Sequence, residues 1–484
     1  MSVRVRFAPS PTGYLHIGGL RTALYNFLFA KHNKGSLILR IEDTDRTRLV
    51  ENAVENLIKT LSWAGIEFDE GPGKVGNFGP YIQSERLEIY KLHAQILLDN
   101  DSAYYAFDTS EEIEAMRHEQ QKAGLDPKYD RKKMRNQYTL GKNETDRFIS
   151  ESVPYVIRLK VPQTDVHFKD IIRGEVIVNG KDIDDQVLLK SDGFPTYHLA
   201  NVVDDHLMQI THVIRGEEWL PSTPKHIILY QAFGWEIPEF AHLPLLLNPD
   251  KSKLSKRQGS VAVEDFIQEG FLKDALINFV ALLGWNPTSD REIFTLDELI
   301  ENFHLEKVNK GGAVFDKTKL EWMNFQYLKL KDLSELASLL KPTLESKGYK
   351  GFSDEYISKV IGLLRERVKF LHEIPDFGNY MFVPPTVFDK EYLEKYWNEG
   401  TGDLIISLLE ILKQNEDYSH SNLHDLTKNF IEGKGMKLKE IIHPLRLMIT
   451  GVSAGAGMFE TMEVLGKEQC INRIEYFLKH RKNL

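Results

Sequence analysis

The sequence predicts a multidomain α/β protein, in which a parallel-sheet domain is split by an α+β insertion and followed by a mostly α-helical C-terminal half. Strand-like and helix-like patterns alternate near the N-terminus, which is typical of parallel sheets. Short strand-like runs cluster further along, and almost every segment from about 330 to 484 has a helical pattern. A chain of 484 residues is also too long for a single hydrophobic core.

The composition is that of an ordinary globular protein, with 42% hydrophobic and 27% charged residues. A net charge of -10 excludes an indiscriminate polycation, although 61 Lys and Arg residues suffice for a local basic face that binds nucleic acid. The one cysteine, Cys470, excludes an intrachain disulfide and argues against a cysteine-based zinc site. No apolar run approaches the ~20 residues that span a bilayer, and the N-terminus lacks a signal-peptide pattern, so we expect a cytoplasmic protein that does not bind membranes.

The parallel-sheet domain begins with a strand–loop–helix–strand unit. Apolar residues alternate with arginine over positions 3–7, which predicts a strand. Two prolines and Gly13 then prevent regular structure, and a helix begins at about Ile17. The apolar run 36–41 predicts a buried strand parallel to the first, and this order favours a nucleotide-binding α/β domain.

An insertion is predicted to interrupt that domain. It begins with a helix that Ser84 can cap, followed by a polar region from about 101 to 150. The parallel-sheet pattern resumes near 186–189, and again at 212–214 and 242–247. Before 186, the strand-like runs at 155–161, 166–172 and 175–178 predict a sheet that belongs to the insertion alone.

After position 257 the patterns become helical, beginning with a buried helix over 275–283. No internal repeat, low-complexity tract or heptad run is found in the chain. The predicted domains are 1–83 with 187–257 for the two halves of the sheet domain, 84–186 for the insertion, 258–330 for a connecting domain, and 331–484 for a helical domain of one or two bundles.

Two distant segments together indicate a site for ATP. In the loop 9–19, prolines stiffen the chain and glycines let backbone amides approach a phosphate closely. A helix that begins near Ile17 directs its positive dipole at such an anion, and His16 can donate to a phosphate oxygen. The loop 248–257 carries three lysines and an arginine, which can neutralise the charge that develops during attack on an α-phosphate. Either segment alone is better explained as a solvated turn, whereas the pair predicts one ATP site.

Longer segments connect this pair of motifs to a known family. His16-Ile17-Gly18-Gly19 is similar to the histidine–glycine motif of class I aminoacyl-tRNA synthetases, and 253–257 resembles their mobile lysine–serine–lysine loop. Within that class, the chain resembles the glutamyl-tRNA synthetases of bacterial type over its whole length. The segments that carry this resemblance are 7–13, 40–45, 81–86, 192–201, 213–219, 444–446 and 466–468.

The resemblance implies a Rossmann-type catalytic domain, an acceptor-stem-binding insertion, a stem-contact domain at 258–330 and a helical anticodon-binding domain. It also implies that ATP, with Mg²⁺, activates L-glutamate to glutamyl-adenylate, and that the glutamyl group then passes to the 3′ end of tRNA(Glu). A monomer fits the family. Two departures matter: Gly19 replaces a histidine, as is familiar in glutamyl enzymes, and the segment 104–108 lacks the cysteines that hold zinc in some relatives, so we predict no zinc.

For glutamate, the resemblance implies a pocket with two guanidinium groups and one acid. The two guanidinium groups match the two carboxylates of the amino acid, and the acid matches its ammonium. Arg6 would hold the side-chain carboxylate, Arg215 another carboxylate, and Glu42 the ammonium. Taken singly, these residues also fit plainer explanations, as surface arginines in strands and a capping acid. The remaining members of the pocket would be Ser10, Tyr197 and Asn201.

For catalysis, the resemblance implies that His16, Lys253 and Lys256 stabilise the transition state. Simple core packing is an alternative for one of the ATP-side residues, Trp219. Another, Leu246 or a close neighbour, would contact adenine through its backbone. The complete set on the ATP side would be Pro9, Gly18, Gly19, Glu218, Trp219, Leu246, Ser255 and Lys256.

Other functions remain open at this point. A glutaminyl-tRNA synthetase shares the catalytic core but reads the anticodon with β-barrels, whereas helices are predicted here. A nucleotidyltransferase that does not use tRNA would not need the helical half. A catalytically silent RNA-binding module would not turn over ATP. The sequence does not decide whether tRNA(Gln) is also charged, nor which residues read the anticodon.

Overall fold

The computed structural model describes residues 2–45, 47, 50–254 and 261–481. They form two compact units. The first contains the chain up to Glu269 together with Lys273–Lys317, and the second contains Gly270–Leu272 and the chain from Thr318 onward. In these described ranges, no helix combines the length and the apolar character needed to cross a membrane.

All the described strands lie in the first unit, and five of them build a parallel sheet. β1 (Arg4–Phe7) pairs in parallel with β2 (Ser36–Leu39), β8 (His212–Gly216) with β9 (Glu239–Leu243), and β9 with β5 (Val166–Asp170). The Thr211 N–H, next to β8, donates to the Arg4 carbonyl of β1 at 2.9 Å. The predicted Rossmann-type parallel sheet is thereby confirmed. In chain order the strands are β1 (Arg4–Phe7), β2 (Ser36–Leu39), β3 (Ala103–Ala106), β4 (Val156–Leu159), β5 (Val166–Asp170), β6 (Gly174–Val178), β7 (Val187–Leu189), β8 (His212–Gly216), β9 (Glu239–Leu243), β10 (Leu246–Leu247) and β11 (Ala313–Val314).

The strands expected for the insertion are divided between two sheets. β3, β4 and β7 form an antiparallel sheet, whereas β5 and β6 extend the parallel one in the order β6-β5-β9-β8. Two expectations are therefore wrong: the runs 166–172 and 175–178 do not belong to a sheet of the insertion alone, and 186–189 does not pair in the parallel sheet. The reason is that a short apolar run fits either kind of strand, and its partner is chosen by contacts distant in sequence.

Helices of the first unit pack against these sheets. The helix after β1 is deeply buried, since Leu20, Leu24 and Leu28 are fully buried. In chain order the helices are α1 (Ile17–His32), α2 (Ala53–Trp63), α3 (Leu87–Asp99), α4 (Ser110–Lys122), α5 (Gln137–Leu140), α6 (Lys142–Ser150), α7 (Tyr197–Leu207), α8 (Thr223–Phe233), α9 (Val263–Gln268), α10 (Lys273–Ala281) and α11 (Leu296–Asn302).

Ser84 does not cap a helix, contrary to expectation. A 3₁₀ turn, Gln83–Arg86, precedes α3. The hydroxyl and the N–H of Ser84 donate instead to the Asp43 carboxylate, at 2.6 and 2.8 Å. Ser84 therefore holds the chain beside the segment that follows β2.

The second unit is helical over its described residues, which confirms the predicted helical C-terminal half. α14 illustrates how it is built: Ile357, Val360, Ile361 and Leu364 are buried at helical spacing and form one apolar face. Beginning at the boundary between the units, the helices are α12 (Lys317–Leu330), α13 (Leu333–Ser346), α14 (Asp354–Leu364), α15 (Ile374–Phe377), α16 (Lys390–Tyr396), α17 (Thr401–Gln414), α18 (His420–Glu432), α19 (Lys439–Thr450), α20 (Met458–Leu465) and α21 (Lys467–His480).

Candidate active site

A cleft of about 710 Å³ opens where β1 and β8 end. Its lining also includes the loop after β1, the start of α1 and the start of α7, so it lies at the carboxyl end of the parallel sheet, where such sheets bind ligands. The structure brings twelve of the predicted site residues together in this lining: Arg6, Pro9, Ser10, His16, Gly18, Gly19, Glu42, Tyr197, Asn201, Arg215, Glu218 and Trp219.

Arg215, at the end of β8, is buried among uncharged hydrogen-bond partners. Its Nε donates to His242 Nε2 (3.0 Å), its Nη1 to the Tyr197 hydroxyl (2.7 Å) and its Nη2 to the Thr223 hydroxyl (2.8 Å). Burial lowers the pKa of His242 to about 4 and raises the pKa of Tyr197, so both are neutral at pH 7. A weaker contact joins Nη1 to His226 Nδ1 (3.3 Å), and burial lowers the pKa of that ring as well. Throughout the described chain, every hydrogen-bonding partner of this guanidinium is therefore neutral.

Arg6, on β1, has charged surroundings instead. Its Nε donates to both oxygens of Asp205, at 3.1 and 3.3 Å, and Asp205 also accepts from Arg40 Nη1 at 2.7 Å. Although burial alone would raise it, the charges of Arg6 and Arg40 hold the pKa of Asp205 below its usual value. The two terminal nitrogens of Arg6 donate no hydrogen bond within the described residues, so they can bind a ligand carboxylate.

Glu42 follows β2 and reaches the cleft beside α7. Its Oε1 accepts from Arg40 Nη2 at 3.0 Å and from Asn201 Nδ2 at 3.5 Å. Burial raises the pKa of Glu42, although the charges of Arg40 and Arg6 oppose the shift. The Glu42 N–H also donates to the Pro9 carbonyl at 3.0 Å, which fixes the loop after β1 beside this carboxylate. The arrangement can accept hydrogen bonds from a ligand ammonium.

His16 caps the start of α1. Its Nδ1 accepts a hydrogen bond from the Gly18 N–H at 2.9 Å, so the neutral ring carries its proton on Nε2. A Cβ on Gly18 would lie 3.2 Å from that Nδ1, and a Cβ on Gly19 would lie 2.8 Å from the Leu15 side chain. The two glycines therefore leave the helix N-terminus accessible, as binding of an anion requires.

Trp219 and Glu218 lie in the 3₁₀ turn Glu217–Ser222 that follows β8. Trp219 is 40% exposed and its ring lies 4.4 Å from the Tyr197 ring, so it forms part of the cleft rather than of the core. A Cβ on Gly216 would lie 2.2 Å from the Glu218 carboxylate, which shows how closely Glu218 folds back over the end of β8.

Leu246 and Lys253 are not among the residues that line the cleft. Leu246 is buried in β10. It lies close to Gly18, since a Cβ built on Gly18 would be 3.9 Å from Leu246 Cδ1. Lys253 is exposed and forms an isolated bridge with Leu247.

Ser255 and Lys256 lie outside the described residues. Their described neighbours are anchored near α1. The Leu254 N–H donates to the Leu246 carbonyl at 2.9 Å, and the Ile17 N–H donates to the Val261 carbonyl at 2.8 Å. Within the described ranges, no three His, Cys, Asp or Glu side chains are grouped so as to hold a metal ion.

Sequence reasoning missed several residues that hold the site together. One could have been found: Asp205 comes four residues after Asn201 and eight after Tyr197, so all three share a face of α7. A carboxylate on the buried face of a helix requires a cationic partner, which points to a nearby arginine. By contrast, no signal in the sequence points to His242 or Thr223 as partners of Arg215.

Comparison with known proteins places these features in a family. Residues 2–322 match the model of tRNA synthetases class I (E and Q), catalytic domain, and residues 335–478 match an anticodon binding domain. Proteins named glutamate–tRNA ligase from Chlorobaculum parvum and Chloroherpeton thalassium are each 52% identical to this chain, over 98% of this chain and 97% of theirs. The crystal structure of a glutamate tRNA ligase from Elizabethkingia meningosepticum in complex with its amino acid matches with a TM-score of 0.92 and 42% identity, over 99% of both chains. The glutamate-tRNA synthetase of Elizabethkingia anophelis matches with a TM-score of 0.89 and 42% identity, over 99% of this chain and 100% of that one.

The matches run along the whole chain, and the catalytic-domain match includes every residue that lines the cleft. The resemblance inferred from the motifs is thereby confirmed. The helical second half matches an anticodon-binding domain, which agrees with the helices predicted there. The chain therefore belongs to the glutamate–tRNA ligase family of class I aminoacyl-tRNA synthetases.

Proposed function

We propose that this protein attaches L-glutamate to the 3′ end of tRNA(Glu), with ATP and through a glutamyl-adenylate intermediate. The observation that carries this proposal is the Arg215 guanidinium, buried at the cleft among neutral partners. A buried cation is costly until an anion offsets its charge, and a carboxylate of the substrate can do so. Because Arg6 supplies a second guanidinium to the same cleft, the site favours an amino acid with two carboxylates.

The proposed roles of the side chains follow from their charges. Arg6 binds the side-chain carboxylate of glutamate and Arg215 binds another carboxylate of the substrate. Glu42, with Ser10, accepts hydrogen bonds from the ammonium. Tyr197 and Asn201 line the pocket from α7, which holds both on the face that meets Glu42 and Arg215.

In the first step, an oxygen of the substrate α-carboxylate attacks the α-phosphorus of ATP. A phosphorus–oxygen bond forms, the bond to pyrophosphate breaks, and pyrophosphate leaves. His16 Nε2 and the N-terminus of α1 are proposed to stabilise the added negative charge, together with Lys253 and Lys256. Mg²⁺ arrives with ATP and offsets the charge of its phosphates. The residues proposed to contact ATP are Pro9, Gly18, Gly19, Glu218, Trp219, Leu246, Ser255 and Lys256.

In the second step, the terminal adenosine hydroxyl of the tRNA attacks the carbonyl carbon of the adenylate. An ester bond forms, AMP leaves, and the hydroxyl proton is lost to solvent. No protein nucleophile is needed, because holding the two substrates in line supplies much of the acceleration. The proposed domains divide the work: 1–83 with 187–257 for catalysis, 84–186 for the acceptor stem, 258–330 for stem contact and 331–484 for the anticodon.

The test is aminoacylation with purified tRNA(Glu) and tRNA(Gln), each with ATP and labelled glutamate or glutamine. We expect glutamate on tRNA(Glu) and no transfer of glutamine, since a neutral amide would leave one buried guanidinium without an anion. Transfer of glutamine in place of glutamate would contradict the proposal. The exchange of pyrophosphate with ATP is measured with tRNA present. Exchange that yields no charged tRNA would favour a nucleotidyltransferase. Glutamate on tRNA(Gln) would show that the chain charges both tRNAs.

We also propose a cytoplasmic monomer that contains no zinc. Support for the absence of zinc comes from the segment 104–108, which has no cysteine. Light scattering after size exclusion, with and without tRNA, measures the oligomeric state, and elemental analysis of the purified protein measures zinc. A stable dimer or stoichiometric zinc would contradict the corresponding proposal.

A further inference from the structure

Three side chains from neighbouring strands form a line of hydrogen bonds that ends at Arg215. Asp170 is the last residue of β5, His242 lies in β9, and Arg215 lies in β8, directly opposite His242 in the parallel register. His242 Nδ1 lies 2.6 Å from Asp170 Oδ2, and its Nε2 lies 3.0 Å from Arg215 Nε. Asp170 and His242 are both fully buried.

The partners of His242 decide which ring nitrogen carries the proton. A guanidinium can only donate hydrogen bonds, so Nε2 must be an acceptor. The proton of the neutral ring is therefore on Nδ1, where it is donated to Asp170. Burial, which lowers the pKa of His242 to about 4, keeps the ring from taking up a second proton at pH 7.

Asp170 is itself held in place by the backbone. Its carboxylate accepts from the N–H groups of Ile172 (2.9 Å), Arg173 (2.8 Å) and His242 (3.1 Å), in addition to the His242 ring. A carboxylate with this many donors cannot rotate without losing several hydrogen bonds. Asp170 can therefore fix both the orientation and the tautomer of the ring.

We propose that Asp170 and His242 are positioning residues for Arg215, and that Asp170 selects the His242 tautomer that holds the guanidinium ready for a glutamate carboxylate. This inference rests on the proposed function of the cleft. Neither residue lines the cleft, so neither touches the substrate. A neutral acceptor at Nε2 orients the guanidinium without offsetting its charge, whereas a carboxylate in that place would compete with the substrate.

The change Asp170→Asn gives the sharpest prediction. The amide NH₂ of asparagine would face the Nδ1–H of His242, so two donors would oppose each other. The ring would relieve this by moving its proton to Nε2, which would then oppose Arg215 Nε. The loss of the acceptor should displace the guanidinium while leaving the ATP side of the cleft unchanged.

The experiment measures KM and kcat for glutamate and for ATP in tRNA(Glu) charging, with the other substrates saturating. We expect D170N to raise the KM for glutamate at least tenfold and to change the KM for ATP less than twofold. H242N, whose amide reaches only the Nδ1 position, should show the same rise. H242Q, whose carbonyl can reach the Nε2 position, should stay within about threefold of the wild type. The matched control is H93N, because His93 is also a buried histidine but its ring hydrogen-bonds to the Ile89 carbonyl and not to an arginine.

Each outcome of these measurements supports or overturns the positioning role of Asp170 and His242. An unchanged glutamate KM in D170N, an equal rise for glutamate and ATP, or H242Q as impaired as H242N would overturn the positioning role. If D170N does not fold, the pair H242N and H242Q still tests it, since both carry the same amide and one methylene sets where it lies. A wild-type protein that does not charge tRNA(Glu) would overturn the proposed function instead.

Discussion

The two arginines of the cleft, Arg6 and Arg215, are held in opposite ways. Arg6 shares the buried carboxylate of Asp205 with Arg40, so its charge is offset inside the protein. Arg215 is held by neutral hydroxyl and imidazole groups, so within the described chain its charge is offset by none of its hydrogen-bond partners. The difference shows that two buried arginines of one cleft can have opposite electrostatic surroundings, and under the proposed function it assigns Arg6 a larger part in folding and Arg215 a larger part in binding.

The two arginines should contribute differently to the stability of the fold. A buried ion pair is costly to break from one side, because the remaining charge is left without a partner. A buried cation without an anion already carries that cost in the unliganded protein. Removal of Arg6 should therefore destabilise the fold, whereas removal of Arg215 should chiefly abolish binding.

The largest effect is expected for Arg215→Met. Loss of a desolvated guanidinium that binds carboxylate should cost about 4 kcal/mol, so kcat/KM for glutamate should fall roughly 10³-fold. The thermal midpoint should stay unchanged or rise, because a costly buried charge is removed. Steady-state charging and thermal unfolding without substrates measure the two quantities. A large fall in the midpoint would show that Arg215, like Arg6, stabilises the fold.

Arg6→Met should lower activity and stability together. It leaves Asp205 with one cationic partner fewer, at a cost of about 3 kcal/mol to the free energy of unfolding. The double change Arg6→Met with Asp205→Asn should recover part of this stability but no activity. Denaturant unfolding of the single and double variants, beside charging assays, tests both statements. Stability equal to that of the wild type in the single variant would contradict the ion-pair assignment.

Lys256→Ala provides a reference for the contacts proposed to the phosphates of ATP. Loss of a charge that stabilises the transition state should slow adenylate formation roughly 10²-fold. Glutamate affinity should be unchanged, in contrast to Arg215→Met. Pyrophosphate exchange in the presence of tRNA measures the rate. Intact exchange in this variant would show that the role assigned to Lys256 is wrong.

Tyr197→Phe removes one of the neutral acceptors of Arg215 without touching its charge. A lost hydrogen bond of this kind costs about 1 kcal/mol, so the KM for glutamate should rise about fivefold. The KM for ATP should not change, although the ring of Tyr197 contacts Trp219, because the ring is retained. Equal changes in both constants would indicate that the hydroxyl acts on the whole cleft.

The groups that surround the two arginines should also differ in their pH dependence. His242 has a folded pKa of about 4, below the ~6.5 of an exposed histidine, so the unfolded chain binds the extra proton first as pH falls. The stability from this neutral ring is complete above pH 6.5 and falls by about 2 kcal/mol by pH 4.5. The pKa of Asp205 is depressed, so its contribution is present above ~3.8 and is lost only below that. Between pH 7 and 4.5, thermal midpoints of H242Q should therefore converge on the wild type, while those of D205N keep a constant offset.

Much of this molecule follows from local sequence patterns. The alternation at 3–7, the Pro and Gly residues of the loop and the helical spacing after Ile17 place β1, the loop and α1, and with them His16 and the two glycines of the cleft. The helical second half is equally local, since periodic burial of apolar residues defines each helix. Motif resemblance then identifies Arg6, Glu42, Tyr197, Asn201 and Arg215 as neighbours, and the structure places all five around one cleft.

Other features depend on partners that are distant in the chain. β5 lies in the region predicted as an insertion, yet it pairs with β9, and this pairing brings Asp170 to His242. Likewise, Asp205 is recognisable in sequence only as an acid in an apolar helix. Its partner Arg6 is 199 residues away.

The family, the order of helices and most strands, and twelve of the residues that line the cleft are predictable from the sequence, because periodicity and motifs are properties of neighbouring residues. The tertiary structure was needed to show which strands pair and which guanidinium of the cleft has neutral hydrogen-bond partners among the described residues. Burial and hydrogen-bond partners set the charge state of a group, and both depend on residues that the fold, and not the order of the chain, places in contact.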